Sequence, residues 1–140
     1  MPFYRRKRHL KHGVFLFEFY IWKEGNIKMI TIDEYQELAM RTAPKNLSPS
    51  DKVLNGLMGL NGEAGEAIDI LKKTMFMGHP MDEKHMAKEI GDACWYIAMI
   101  ADGLGMKLSD IFEMNIDKLR NRYPEGFSTE KSLNRKTGDI

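Results

Sequence analysis

The sequence predicts an all-α protein with a four-helix bundle-like fold. Apolar residues recur at three- and four-residue intervals, helix start and stop signals alternate along the chain, and no stretch sustains the apolar–polar alternation of a strand. The 140 residues, 43% hydrophobic and 29% charged, suffice for one domain with a core and not for two. With Cys94 as the only cysteine, neither an intramolecular disulfide nor a cysteine-based zinc site can form, and a reducing, cytoplasmic setting is expected. A formal net charge of +1 gives the chain as a whole no footprint of a nucleic-acid binder.

Thr31 is expected to cap a first helix running through Glu34, Tyr35, Leu38 and Ala39 to about Ala43, with Glu34 completing a capping box and Pro44 as the stop. Ser48-Pro49-Ser50-Asp51 opens a second helix. Leu54, Leu57, Met58, Ala64, Ile68 and Leu71 carry it to about Phe76, where Gly78-His79-Pro80 breaks it. Asp82 caps a third helix, about 82–102, ended by Gly103-Leu104-Gly105. Ser109 is expected to cap a fourth, which reaches Arg122 before Tyr123-Pro124-Glu125-Gly126 turns the chain.

Residues 1–28 are different material, with seven basic and two acidic groups, or +5, against −4 for the rest. The basic cluster and the run Val14 to Trp22 imitate a signal peptide. The run is short, interrupted by Glu18 and followed by no small-residue cleavage site, so secretion is disfavoured, and a span of roughly 20 apolar residues is lacking. A basic arm for nucleic acid or anionic lipid is a second reading. The favoured one is a leader translated from an early start: Met29 is followed almost at once by a helix, and the codons for Lys23-Glu24-Gly25 can spell a ribosome-binding sequence. The leader is therefore kept out of the fold, and no membrane or stable nucleic-acid partner is expected.

Two pairs of acids carry the chemistry. The second half of the third helix, Ala93 to Ala101, is apolar nearly all round, which marks a buried helix. Glu89 and Asp92 lie one turn earlier, on the face of Ala93, Tyr96 and Ile100, and should project toward the interior. Glu63 and Glu66 repeat the i, i+3 spacing on the second helix, where Gly62 and Gly65 suggest close approach of another backbone or a ligand. Alone, Glu63 and Glu66 would be ordinary exposed helix acids. Four carboxylates facing one another instead need a cation, and an all-oxygen donor set selects Mg²⁺, with Mn²⁺ as a substitute.

Three segments in order carry a resemblance. Gly62-Glu63-Ala64-Gly65-Glu66-Ala67 with Leu71-Lys72-Lys73, then Lys88-Glu89-Ile90-Gly91-Asp92, then Asn115 to Pro124 with Gly126-Phe127 are similar to the MazG-like nucleoside triphosphate pyrophosphohydrolases, grouped with the dimeric dUTPases and phosphoribosyl-ATP pyrophosphohydrolases. The resemblance covers about Ile30 to Phe127. It implies a MazG-like catalytic domain at 29–127 followed by a C-terminal tail at 128–140, a homodimer or homotetramer whose subunits complete one another's sites, and Mg²⁺-dependent hydrolysis of a nucleoside triphosphate to the monophosphate and pyrophosphate. The expected cellular role is house-cleaning of the nucleotide pool.

Carried over by position, Glu63, Glu66, Glu89 and Asp92 match the family's metal-binding, catalytic acids, and Lys118 and Arg122 its late basic pair. The i, i+4 spacing of that pair sets two cations on one helical face, suited to phosphate or simply solvated. Asn115, one turn earlier, could read a base or ribose edge or point to water. Tyr96 could stack on the base or serve the core. Lys72 and Lys73 are phosphate ligands or helix C-terminal charges. His79 and His85 are read as surface residues, and the methionines as adaptable packing. The expected reaction is attack of cation-activated water on a phosphorus, with a carboxylate as base. The alternatives are a sibling pyrophosphatase specific for dUTP, dCTP or phosphoribosyl-ATP, and a noncatalytic helical interaction module.

Overall fold

The computed structural model describes residues 19–23 and 26–134, with side chains from Ile30 onward. The leader reading for residues 1–18, and the last residues of the tail, 135–140, lie outside the described residues. The chain divides into two compact units, one up to Thr31 and one from Ile32 onward.

In the first unit, β1 (Phe19–Lys23) and β2 (Asn26–Ile30) pair antiparallel, with Phe19 opposite Ile30 and Lys23 opposite Asn26. The sequence expectation of no strands is corrected here. Aromatic and β-branched residues dominate Phe19-Tyr20-Ile21-Trp22, and two such runs separated by a Gly-containing pair favour a hairpin even without alternation.

The second unit is all helix: α1 (Ile32–Met40), α2 (Pro49–Met77), α3 (Glu83–Gly103), α4 (Leu108–Arg122) and a single turn, α5 (Thr129–Leu133), inside the segment expected to be only tail. At the end of α1 the hydrogen bonding tightens, Thr42 N–H to Ala39 O at 3.0 Å and Ala43 N–H to Met40 O at 3.2 Å. Ser48 caps α2 with a reciprocal box: its hydroxyl accepts from Asp51 N, while the Asp51 carboxylate accepts from Ser48 N. Gly78 ends α2 in the left-handed region, φ 74°, which a side chain would strain. Asp82 caps α3 by accepting from His85 N at 2.9 Å.

The helices α2 and α3 form an antiparallel hairpin. Lys52 at the start of α2 meets Asp102 at the end of α3 at 2.6 Å, and there Gly103 lies against the Pro49 carbonyl so closely that a Cβ would come within 2.8 Å of it. Gly56 and Gly59 admit Ile100 and Tyr96 of α3. Gly62 and Gly65, where close approach was expected, have open space where a Cβ would stand. The close approach is thus one turn or more earlier on α2.

Trp95 pins α1 to α3, its indole N–H donating to Ala39 O at 3.1 Å and Thr42 Oγ1 at 2.8 Å. The helix α4 starts at Leu108, so Ser109 is an interior residue and not its cap. The capping comes from α1: Gln36 Oε1 accepts from Leu108 N at 2.8 Å, and Asp33 accepts from both the amide and the hydroxyl of Ser109 at 3.1 and 3.0 Å. Ala39, Ala98, Ala101 and Leu108 make the core cluster, and Met99 is fully buried. Large apolar side chains remain exposed, among them Met58, Ile68, Met75 and Phe76, at 66–78%.

Candidate active site

The α2–α3 hairpin brings Glu63, Glu89 and Asp92 together. Ligand oxygens of the three lie within 4.8 Å of one another, the only such group of three potential metal-ligating side chains among the described residues. They derive from the two acid pairs because antiparallel helices joined by a short loop, 78–82, set the middle of α2 against the first half of α3. Glu89 is buried, Glu63 half-buried and Asp92 exposed. Asp92 is therefore exposed to solvent where inward projection was expected, although its carboxylate stays beside Glu63 and Glu89.

Crowding shows in the protonation of Glu63. Its carboxyl is pushed above the ordinary range, first by desolvation, then by a proton shared with Glu89 and by the negative charges of Glu66, Asp92 and Glu89. A cation among these oxygens would relieve that repulsion, and hard oxygen donors suit a divalent ion. Glu66, the fourth expected ligand, is exposed and stands outside the three-oxygen group. It lines a neighbouring cleft of about 420 Å³ with Asp69, Lys73, His79, Asp82 and His85.

The other site residues are distributed as follows. Lys72 is paired with Asp69, as is Lys73 at 2.6 Å, and the two ammonium groups hold Asp69 down to about 2. Both lysines thus clamp an acid on their own helix. The Tyr96 ring lies over Gly59 and meets Trp95 edge-on, ring centres 5.0 Å apart, so within this chain it packs the hairpin. Asn115 and Lys118 are exposed on α4 without hydrogen bonds or ion pairs to the carboxylates, and Arg122 is half-buried at the end of that helix. The described packing of α4 is against α1 and α3.

Two residues beside the cluster had no role in the sequence reading beyond helix periodicity or surface. The Tyr35 hydroxyl points at the Gly91 carbonyl, 3.5 Å away, and its pKa is raised by burial and then by Cys94 and Asp92. His85 Nε2 lies 2.8 Å from Glu89 Oε1. The i, i+4 spacing of His85 and Glu89 was the available signal for this second contact.

An all-helical unit with a carboxylate cluster across a helical hairpin defines the class to which the motifs pointed. Residues 53–127 match the model of the MazG nucleotide pyrophosphohydrolase domain, more than half of the chain, and the chain belongs to that family. It is 32% identical over 103 residues to the gene 37 protein of Mycobacterium phage L5, an alignment covering 68% of this chain and 90% of the phage protein. No solved structure matches. Among the described residues no helix is long and apolar enough to cross a membrane.

Proposed function

We propose that this protein hydrolyses a nucleoside triphosphate to the monophosphate and pyrophosphate in a divalent-cation-dependent reaction, with Mg²⁺ as the cation and Mn²⁺ able to replace it. The observation that carries the reading is the group of Glu63, Glu89 and Asp92 oxygens within 4.8 Å, in a chain of the MazG nucleotide pyrophosphohydrolase family. Those three side chains would hold the ion, and Glu66 stands close enough to add its charge to theirs. When bound, the cation supplies positive charge against the triphosphate and lowers the pKa of water. A carboxylate of the acidic group that is not fully engaged with the ion would take the proton from attacking water.

Lys118, Arg122 and Asn115 are assigned to the phosphates and nucleoside, and Tyr96 to the edge of the base pocket. The seat of Asn115, Lys118 and Arg122 on α4, with the exposed apolar side chains of α2, supports a homodimer or homotetramer in which a second copy completes the site. Residues 29–127 form the catalytic domain in this reading, with 1–28 outside it.

The test is pyrophosphate release from a panel of ribo- and deoxynucleoside triphosphates, dUTP and dCTP included, and from phosphoribosyl-ATP, with Mg²⁺ and with a chelator. Release that requires the cation and vanishes in Asp92→Ala is expected. Release of single phosphate, or none from any nucleotide, would remove the reading.

A further inference from the structure

Glu89 is the one buried charged side chain among the described residues, 6% exposed, and it lies among other acids. A carboxylate taken from water needs a donor. His85 provides it. Because an ionised carboxylate only accepts, the hydrogen of the 2.8 Å contact sits on Nε2, whichever charge the ring carries. The imidazole is itself placed from below. Its backbone N–H is held by the cap residue Asp82 at 2.9 Å, so the ring springs from a fixed first turn and reaches Glu89 one turn on. Its outer side is 54% exposed and lines the cleft that also holds Glu66 and Lys73.

We propose that His85 is a positioning residue that fixes the Glu89 carboxylate for a divalent cation shared with Glu63 and Asp92. The proposal rests on the cation-site reading above. A free carboxylate samples rotamers, and with Glu63 and Asp92 nearby it would swing away from them. A donor held on Glu89 Oε1 restricts that swing and leaves the carboxylate's orientation already in place. Outer partners of this kind typically contribute 10–100-fold in metal affinity. Since His85 is half-exposed, its removal opens no core cavity, and loss of affinity is separable from loss of fold.

The experiment is Mn²⁺ binding to the full chain, followed by the loss of the free-ion paramagnetic resonance signal, in the parent, His85→Ala, His85→Gln and Glu89→Gln, with thermal unfolding of each in chelator. Expected are a dissociation constant raised about tenfold or more in His85→Ala, recovery of most of that loss in His85→Gln, whose amide N–H can reach the carboxylate, and metal-free unfolding temperatures of both His85 variants close to the parent. Parent-like Mn²⁺ affinity in His85→Ala, with binding lost in Glu89→Gln, would overturn the positioning role and leave the cation site standing. Parent-like affinity in Glu89→Gln would overturn both. An equal loss in His85→Ala and His85→Gln would show that the donor is not what matters, and would overturn the proposal.

Discussion

Glu63 and Asp69 stand on the same helix and are pushed in opposite directions by their neighbours. Asp69 between Lys72 and Lys73 keeps its charge down to about 2, so it contributes stability above its ordinary value of 3.8 that is lost as the pH falls toward 2. Asp69→Asn should flatten the acid limb of a thermal-unfolding series across that window. Glu63 runs the other way. Held above 4.5, it binds its proton more tightly folded than unfolded, so the metal-free chain should lose stability as the pH rises past 4.5. Unfolding in chelator between pH 4.5 and 7 checks this, with Glu63→Gln expected to remove the slope and a divalent ion to reverse it at pH 7. Glu66→Ala and Asp92→Ala should each lower hydrolysis on the order of a hundredfold or more, the scale of a cation's contribution, while circular dichroism stays helical. Without metal, Asp92→Ala is expected to melt higher than the parent, because it removes one of three mutually repelling charges.

At the level of elements, the glycines of α2 separate two effects. Alanine at Gly59 would strike the Tyr96 ring, and overpacking costs about 1–3 kcal/mol, against a helix-propensity gain near 1 kcal/mol. Net destabilisation by denaturant titration is the expected result. Alanine at Gly62 or Gly65 meets nothing within 4 Å, so propensity alone should stabilise the helix by up to about 1 kcal/mol. The contrast also marks what was legible in the sequence. Ser48, Gly78 and Asp82 act through hydrogen bonds or φ angles within a few residues of themselves, and they set the boundaries of α2 and α3 as read. Ser109 did not act as a cap, since its partner Asp33 comes from a helix 76 residues away in sequence, and local reading cannot see it. Which glycines admit a neighbour depends on the rotational setting of α3 against α2, also invisible locally. The acid pairs were legible because i, i+3 spacing fixes a shared face, but that face turns far enough between Glu63 and Glu66 to bring only one to Glu89. The hairpin before α1 escaped because its strands follow aromatic and β-branched composition and not alternation.

For the whole molecule, α2 and α4 leave many large apolar side chains exposed, Met58, Ile68, Phe76 and Met114 among them, and the proposed assembly would cover them. Light scattering is expected to give a dimer or tetramer, and a monomer active at nanomolar concentration would exclude that. A chain begun at Met29 should keep its helical signal, assembly and pyrophosphatase rate, because the helical unit begins at Ile32 and the motif residues follow it. Loss of any of the three would put the preceding segment in the working structure.

The short loop between α2 and α3 has a consequence in time. Glu63, Glu89 and Asp92 lie within one helical hairpin, so their encounter requires closing only a small loop, and low-entropy local contacts form early in folding. The carboxylates would then meet before α1 and α4 are in place, with repulsion opposing the hairpin at the step that starts the fold. A divalent cation present during refolding should therefore raise the folding rate and leave the unfolding rate nearly unchanged, a signature that stopped-flow refolding and unfolding with and without Mg²⁺ would read directly.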